Sequence, residues 1–137
     1  MEYLVLGSAG QIGKPLCEHL KKVGHKVIEF DLVDGGYYDL RKPNALNDVF
    51  LNNNIDFVVF LAFDVGGSVY LKKYQNTFDF IHNNMKLMTN TFDTIKENNV
   101  PFIFASSQMA NMSYSSYGVL KTIGEFYTKI LGGLLVK

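Results

Sequence analysis

A short apolar stretch, Leu4, Val5 and Leu6, runs straight into Gly7, Gly10 and Gly13, and an amphipathic helical pattern follows at once. Strand, glycine-rich turn and helix in that order leave few folds open, because the chain must reverse tightly and still let its backbone approach a ligand. One glycine allows the turn, one removes a side chain so that N–H groups reach a pyrophosphate, and one lets the helix pack closely on the strand. The anion then sits on the positive end of the helix. The spacing is GxxGxxG rather than the commoner GxGxxG, so the reading rests on the strand before and the helix after it. A triphosphate-binding loop is excluded, because Lys14 is followed by Pro15 instead of a serine or threonine and Ser8 stands where the first glycine belongs.

The chain has 137 residues, enough for about one domain with its own core. Its 13 basic and 13 acidic residues leave no field to attract nucleic acid or an anionic membrane surface. Cys17 is the single cysteine, which excludes an intrachain disulfide and fits a reducing compartment; on a helix it reads as a small core residue. The start carries Glu2 instead of a basic segment, and no stretch approaches the apolar length of a membrane span. A cytoplasmic, soluble protein is expected. His19, His25 and His82 show no metal-ligand spacing with one another or with Cys17, so no metal site is expected.

Further along, apolar strands alternate with helical patterns, the signature of a parallel sheet covered on both faces. Ile12, Leu16 and Leu20 mark one face of the first helix, which stops at Gly24. A second strand, Lys26 to Phe30, ends at Asp31, where a carboxylate accepts hydrogen bonds from ribose hydroxyls and repels a 2′-phosphate; NAD is therefore favoured over NADP. Tyr37 to Asp39 reads as a short third strand, with Tyr37 and Tyr38 on its two faces, and Pro43 to Asn53 as a helix. Phe57 to Ala62 is an almost unbroken apolar strand that runs into a loop at Asp64, Val65, Gly66, Gly67 and Ser68, at the sheet end where ligands collect. A long helix from Thr77 to Asn98, a strand from Phe102 to Ala105, a helix from Tyr114 to Leu131 and a sixth strand beginning at Leu134 to Val136 complete the pattern. The fold class is α/β: a Rossmann-type, doubly wound parallel sheet in a single domain over residues 1–137.

A second constellation is Tyr117 with Lys121, four residues apart and so on one helix face. A phenol near pKa 10 is a poor base at neutral pH, and a neighbouring ammonium favours the phenolate. Ser107, at the tip of the preceding strand, offers a hydroxyl to orient a substrate oxygen.

With these residues in place the chain resembles the extended short-chain dehydrogenase/reductases, in particular the NAD-dependent nucleotide-sugar epimerases and dehydratases, over essentially all of its length. The resemblance implies a cofactor turn of Gly7, Gly10 and Gly13 with Ala9, Gln11 and Ile12 between them, and Asp31 as the ribose-binding acid. It implies that Asp39 and Leu40 lie against the adenine, that Phe60, Leu61 and Ala62 run beside the cofactor, and that Asn84 supports the active-site lysine through water. Ser107, Tyr117 and Lys121 match the catalytic serine, tyrosine and lysine, the last two also touching NAD. Tyr117 would take a proton from a sugar hydroxyl while hydride passes to the nicotinamide. The implied substrate class is a nucleotide sugar.

Ser107 and Tyr117 are ten residues apart, closer than is usual in that family, so a loop covering the substrate is expected to be short. Family members also continue into a smaller domain that grips the sugar nucleotide. The expectation is therefore a Rossmann domain that stops in its sixth strand, lacks the substrate domain, keeps much of the cofactor site and turns over little alone. A sheet edge and helix faces left uncovered predict a homo-oligomer, with Phe126, Tyr127 and Ile130 at the joining helix or in the core. The competing reading is a non-catalytic NAD(P)-binding protein or redox sensor. A methyltransferase would share the alternation but would not need Tyr117 and Lys121.

Overall fold

The computed structural model of the chain describes residues 1–64, 68–112 and 115–137. Its strands are β1 (Glu2–Leu6), β2 (Lys26–Phe30), β3 (Phe57–Phe60), β4 (Phe102–Ala105) and β5 (Leu134–Val136). The helices are α1 (Gly13–Lys22), α2 (Asn47–Asn52), α3 (Ser68–Tyr74), α4 (Phe78–Asn98) and α5 (Ser116–Ile130). Among the described residues the strands form one sheet in the order β2-β1-β3-β4-β5, every neighbouring pair parallel. The order reverses between β1 and β3, which opens a crevice at the carboxyl ends of those two strands.

Alternation along the strands divides the core into two layers. Leu4, Leu6, Val58, Phe60, Phe102 and Phe104 face α4 and α5 and bury Leu87, Met88, Phe92, Ile95 and Leu120 with them. Val5 and Val59 face the other way and close over Cys17 and Leu20 of α1. Burial raises the Cys17 thiol above its ordinary pKa, consistent with a core role. The thicker layer is aromatic: Phe60 meets Phe92 and Phe104 edge-on with centroids 5.4 and 5.2 Å apart, and Tyr127 stacks on Phe92 at 4.8 Å.

Five expectations need correction. Tyr37 to Asp39 is not a strand: the chain coils through two 3₁₀ turns, Leu32–Asp34 and Gly36–Tyr38. Asp31 Oδ1 accepts from the Val33 N–H and caps the first turn, and Gly35 at φ 121° separates it from the second. Tyr37 is exposed, while Tyr38 lies edge-on against Phe30, so the two do not split across a strand. With that strand gone, Leu134–Val136 is the fifth strand and not the sixth. The helix expected from Pro43 begins only at Asn47, because Asn44 takes a left-handed conformation at φ 61° and forces a turn. Ile12 is not on the buried face of α1 but 67% exposed at its start. Val65, Gly66 and Gly67 of the expected substrate loop, and Tyr114, lie outside the described residues.

Candidate functional site

The turn after β1 is built by close backbone approach. Gly7 sits at φ 90°, and a Cβ there would lie 2.9 Å from the Ala62 nitrogen. A Cβ on Gly13 would lie 2.1 Å from the Gly7 carbonyl oxygen, so any side chain at that position displaces the turn. On Gly10 the same atom meets only that oxygen, at 3.4 Å. The first turn of α1 carries no acidic side chain, which leaves the positive helix end uncompensated for an anion.

These residues form one wall of a cleft of about 640 Å³, a volume ordinary for a small-molecule site. Gly7, Gly10, Gln11, Ile12 and Gly13 line it from one side, Asp31, Asp39 and Leu40 from a second, and Leu61 and Ala62 from a third. Asp31 also ties the first two walls together, since the Ala9 N–H donates to its Oδ2 at 2.9 Å. Asp64, from the loop expected at the ligand end of the sheet, completes the lining together with Phe30, Leu32, Tyr38, Arg41, Phe63, Leu87 and Ala105, which the sequence did not single out for it. Their common signal is position alone: each follows or faces a strand's carboxyl end.

Arg41 forks onto Asp39, Nε to Oδ1 at 2.8 Å and Nη2 to Oδ2 at 3.0 Å. That bonding holds the Asp39 carboxyl below its ordinary pKa and raises the guanidinium. Burial pushes the Tyr70 phenol up, and the Asp64 carboxylate adds to the effect. Asn84 is fully buried on α4 and committed to backbone: its Oδ1 accepts from the Asp64 N–H at 2.7 Å, and its Nδ2 donates to the carbonyls of Asp64 and Phe80. It thereby fixes the loop that carries Asp64.

Ser107, Tyr117 and Lys121 are brought to one end of β4, but none of them lines the cleft, and neither do Ala9 or Asn84. Ser107 caps the 3₁₀ turn Gln108–Asn111, its Oγ accepting from the Met109 N–H at 3.1 Å. That turn lies directly on α5. A Cβ on Gly118 would come within 2.1 Å of the Met109 carbonyl oxygen, and the Thr122 hydroxyl donates to the Ala110 carbonyl. The 3₁₀ turn that follows Ser107 is thus pinned to the helix that carries Tyr117, with Gly118 as the residue that permits the contact. Lys121 is 4% exposed; its Nζ donates to the Ala105 carbonyl at 2.8 Å and lies 5.8 Å from the Tyr117 ring centroid. Burial lowers its pKa to about 7.

A glycine turn on a helix N-terminus, an acid at the end of the second strand and a crevice where the strand order reverses define a Rossmann-type nucleotide-binding domain. Residues 3–125 match the NAD dependent epimerase/dehydratase family. The chain belongs to that family, whose cofactor is NAD. No curated protein matches it. Among solved structures it is similar to a UDP-galactose 4-epimerase, with 21% identity and a TM-score of 0.80 over 100% of this chain and 55% of that one. It is also similar to the UDP-glucose 4-epimerase of Bifidobacterium longum in complex with NAD+ and UDP, with 23% identity and a TM-score of 0.77 over 96% of this chain and 48% of that one. An L-threonine dehydrogenase from Cupriavidus necator is similar too, at 20% identity and a TM-score of 0.76, covering 98% of this chain and 53% of that one. The chain spans about half the length of these structures, and the likeness shows a common fold. The residues fit a dinucleotide: Gly7, Gly10 and Gly13 keep side chains off three positions of the turn, and the Asp31 carboxylate, just beyond β2, lines the same cleft.

Proposed function

We propose that this chain binds NAD in the cleft between the glycine turn and Asp31, as the cofactor half of an oxidoreductase acting on nucleotide sugars. The observation that carries the reading is the joining of Gly7, Gly10, Gly13, Asp31 and Ala62 around one cleft, with Asp31 hydrogen-bonded to the turn. The diphosphate lies on Gly10 to Gly13 at the start of α1, the adenosine ribose faces Asp31, and the adenine lies against Asp39 and Leu40. A carboxylate at Asp31 repels a 2′-phosphate, so NAD is preferred to NADP. Thermal denaturation with each nucleotide tests this. Ligand at about 100 times its Kd adds roughly 2.7 kcal/mol of stability. NAD is expected to raise the melting temperature and NADP is not; equal shifts would remove the role of Asp31, and no shift with either would remove the reading.

In the same reading Ser107, Tyr117 and Lys121 serve the chemistry. NAD supplies a hydride acceptor. Tyr117 takes the proton of a sugar hydroxyl as the carbon beneath it gives up hydride, Ser107 donates a hydrogen bond to the same oxygen, and Lys121 holds the ribose and favours the phenolate. A nucleotide sugar is the substrate class. The chain alone is expected to form little NADH from a UDP-sugar, and Tyr117→Phe is expected to abolish that residual signal while leaving the NAD-induced thermal shift intact.

One observation favours a second reading, a non-catalytic NAD-binding protein: Lys121 is bonded to Ala105 and Ser107 to Met109, both turned to the protein itself. A normal NAD shift with no spectroscopic change at 340 nm on adding UDP-sugars would select it. We also propose a cytoplasmic location, from Cys17 alone, and a homo-oligomer that covers Val119, Phe126 and Ile130, which lie 42, 60 and 82% exposed on one face of α5.

A further inference from the structure

Phe63 stands between the two halves of the site. It lines the cleft, while its ring meets Tyr117 edge-on at 5.7 Å and 89° and lies 3.9 Å from the Lys121 ammonium. Phe104 approaches the same ammonium from the sheet side at 5.0 Å, and the Ala105 carbonyl takes one of its protons. The lysine is therefore boxed by two rings and a carbonyl; Phe63 and Ala105 border the cleft, and of the two rings only that of Phe63 does so. A cation on an aromatic face is attracted to it, and the attraction grows as water is excluded, so the closed arrangement is self-supporting.

We propose that Phe63 is a gate between the nucleotide cleft and the Ser107–Tyr117–Lys121 group. With the gate closed, a dinucleotide makes contact through its adenosine diphosphate end, and its distal ribose and ring meet the edge of Phe63 instead of Lys121. The cleft in this state selects for an ADP-ribose-like portion of the ligand and discriminates little for what lies beyond. Phe63 is a positioning residue, acting through Lys121 and Tyr117 without itself exchanging protons. The inference rests on the nucleotide reading above only for its ligand; the box around Lys121 stands on its own geometry.

Two readouts test it on the full chain. Binding of ADP-ribose and of NAD is measured for the wild type, Phe63→Ala and Phe63→Leu, and reductive methylation of Lys121 is followed by mass spectrometry with the exposed lysines as internal controls. The wild type is expected to bind the two ligands within about threefold of each other and to leave Lys121 unmodified. Phe63→Ala is expected to tighten NAD by roughly tenfold, with ADP-ribose unchanged, and to accelerate methylation at Lys121 alone. Phe63→Leu keeps apolar bulk without the ring and is expected to fall between them; it replaces the alanine variant if that one fails to fold. Unchanged Lys121 labelling in a folded variant overturns the gate, as does a wild type that already binds NAD much more tightly than ADP-ribose. If neither ligand binds the wild type, the nucleotide reading falls, and Lys121 labelling alone decides the gate.

Discussion

Lys121 is where burial and charge conflict most sharply. One turn further along the helix, the Glu125 carboxylate accepts from the Ser106 hydroxyl and pairs with Lys137 at 3.6 Å, and burial is what depresses the Lys121 ammonium. A folded-state pKa of about 7 against an ordinary 10.5 means that the unfolded chain holds the extra proton across that interval. Stability should therefore rise with pH from about 7 to about 10 and be flat below it. Lys121→Met should remove the slope and stabilise the chain by about 1–3 kcal/mol at pH 6, since it relieves the buried charge but leaves the Ala105 carbonyl without that donor. Urea denaturation between pH 6 and 10 measures both. Gly13→Ala makes the opposite kind of change: its Cβ would strike the Gly7 carbonyl, and a loss of more than about 2 kcal/mol together with nucleotide binding is expected in the same assay. Gly7 and Gly13 were legible in the sequence because close backbone approach leaves no room there for a side chain. Phe63 was not, because a phenylalanine after an apolar run looks like more strand, and its contacts come from α5, more than fifty residues away.

Helices and strands were legible where periodicity and caps agree. Thr77 ends the preceding turn and caps α4, its Oγ1 accepting from the Phe80 N–H at 3.2 Å, and Asn99 closes the same helix in a left-handed conformation at φ 47°. Thr77→Ala should cost about 1 kcal/mol by thermal denaturation. Phe92, in contact with Phe60, Phe102, Phe104 and Tyr127, should cost roughly 3–5 kcal/mol when replaced by alanine. The glycines inside α5 look like interruptions in the sequence, yet the helix is continuous through both. A Cβ on Gly124 would meet the Phe104 ring at 2.3 Å, just as one on Gly118 would meet Met109, so both mark packing and not a break. The missing third strand fails for a different reason: its aromatic residues suit a strand, but Asp31 and Asp39 satisfy nearby backbone groups and let turns form instead.

At the scale of the whole molecule, strand order turns separate motifs into one site. β1 lies between β2 and β3, so the glycine turn, Asp31 and Ala62 converge although they are spread over more than fifty residues. β4 and α5 then bring Ser107 and Tyr117 to the neighbouring end of the sheet. This much follows from the alternating pattern and the handedness of parallel connections. What does not follow is which side chains remain outside the cleft, because that depends on a single ring and a single carbonyl. If a second copy covers α5, sedimentation should show a mass that rises with concentration, and Phe126→Ser with Ile130→Ser should abolish the rise without lowering the melting temperature.

The chain has eight tyrosines and no tryptophan, and Tyr38 lies in the cleft wall with its ring against Phe30. Its near-ultraviolet emission is therefore tyrosine emission throughout, and one of the emitters borders the space where a nucleotide would sit. Occupation of that space alters the solvent around Tyr38 directly, so the protein carries its own unlabelled optical reporter of ligand arrival.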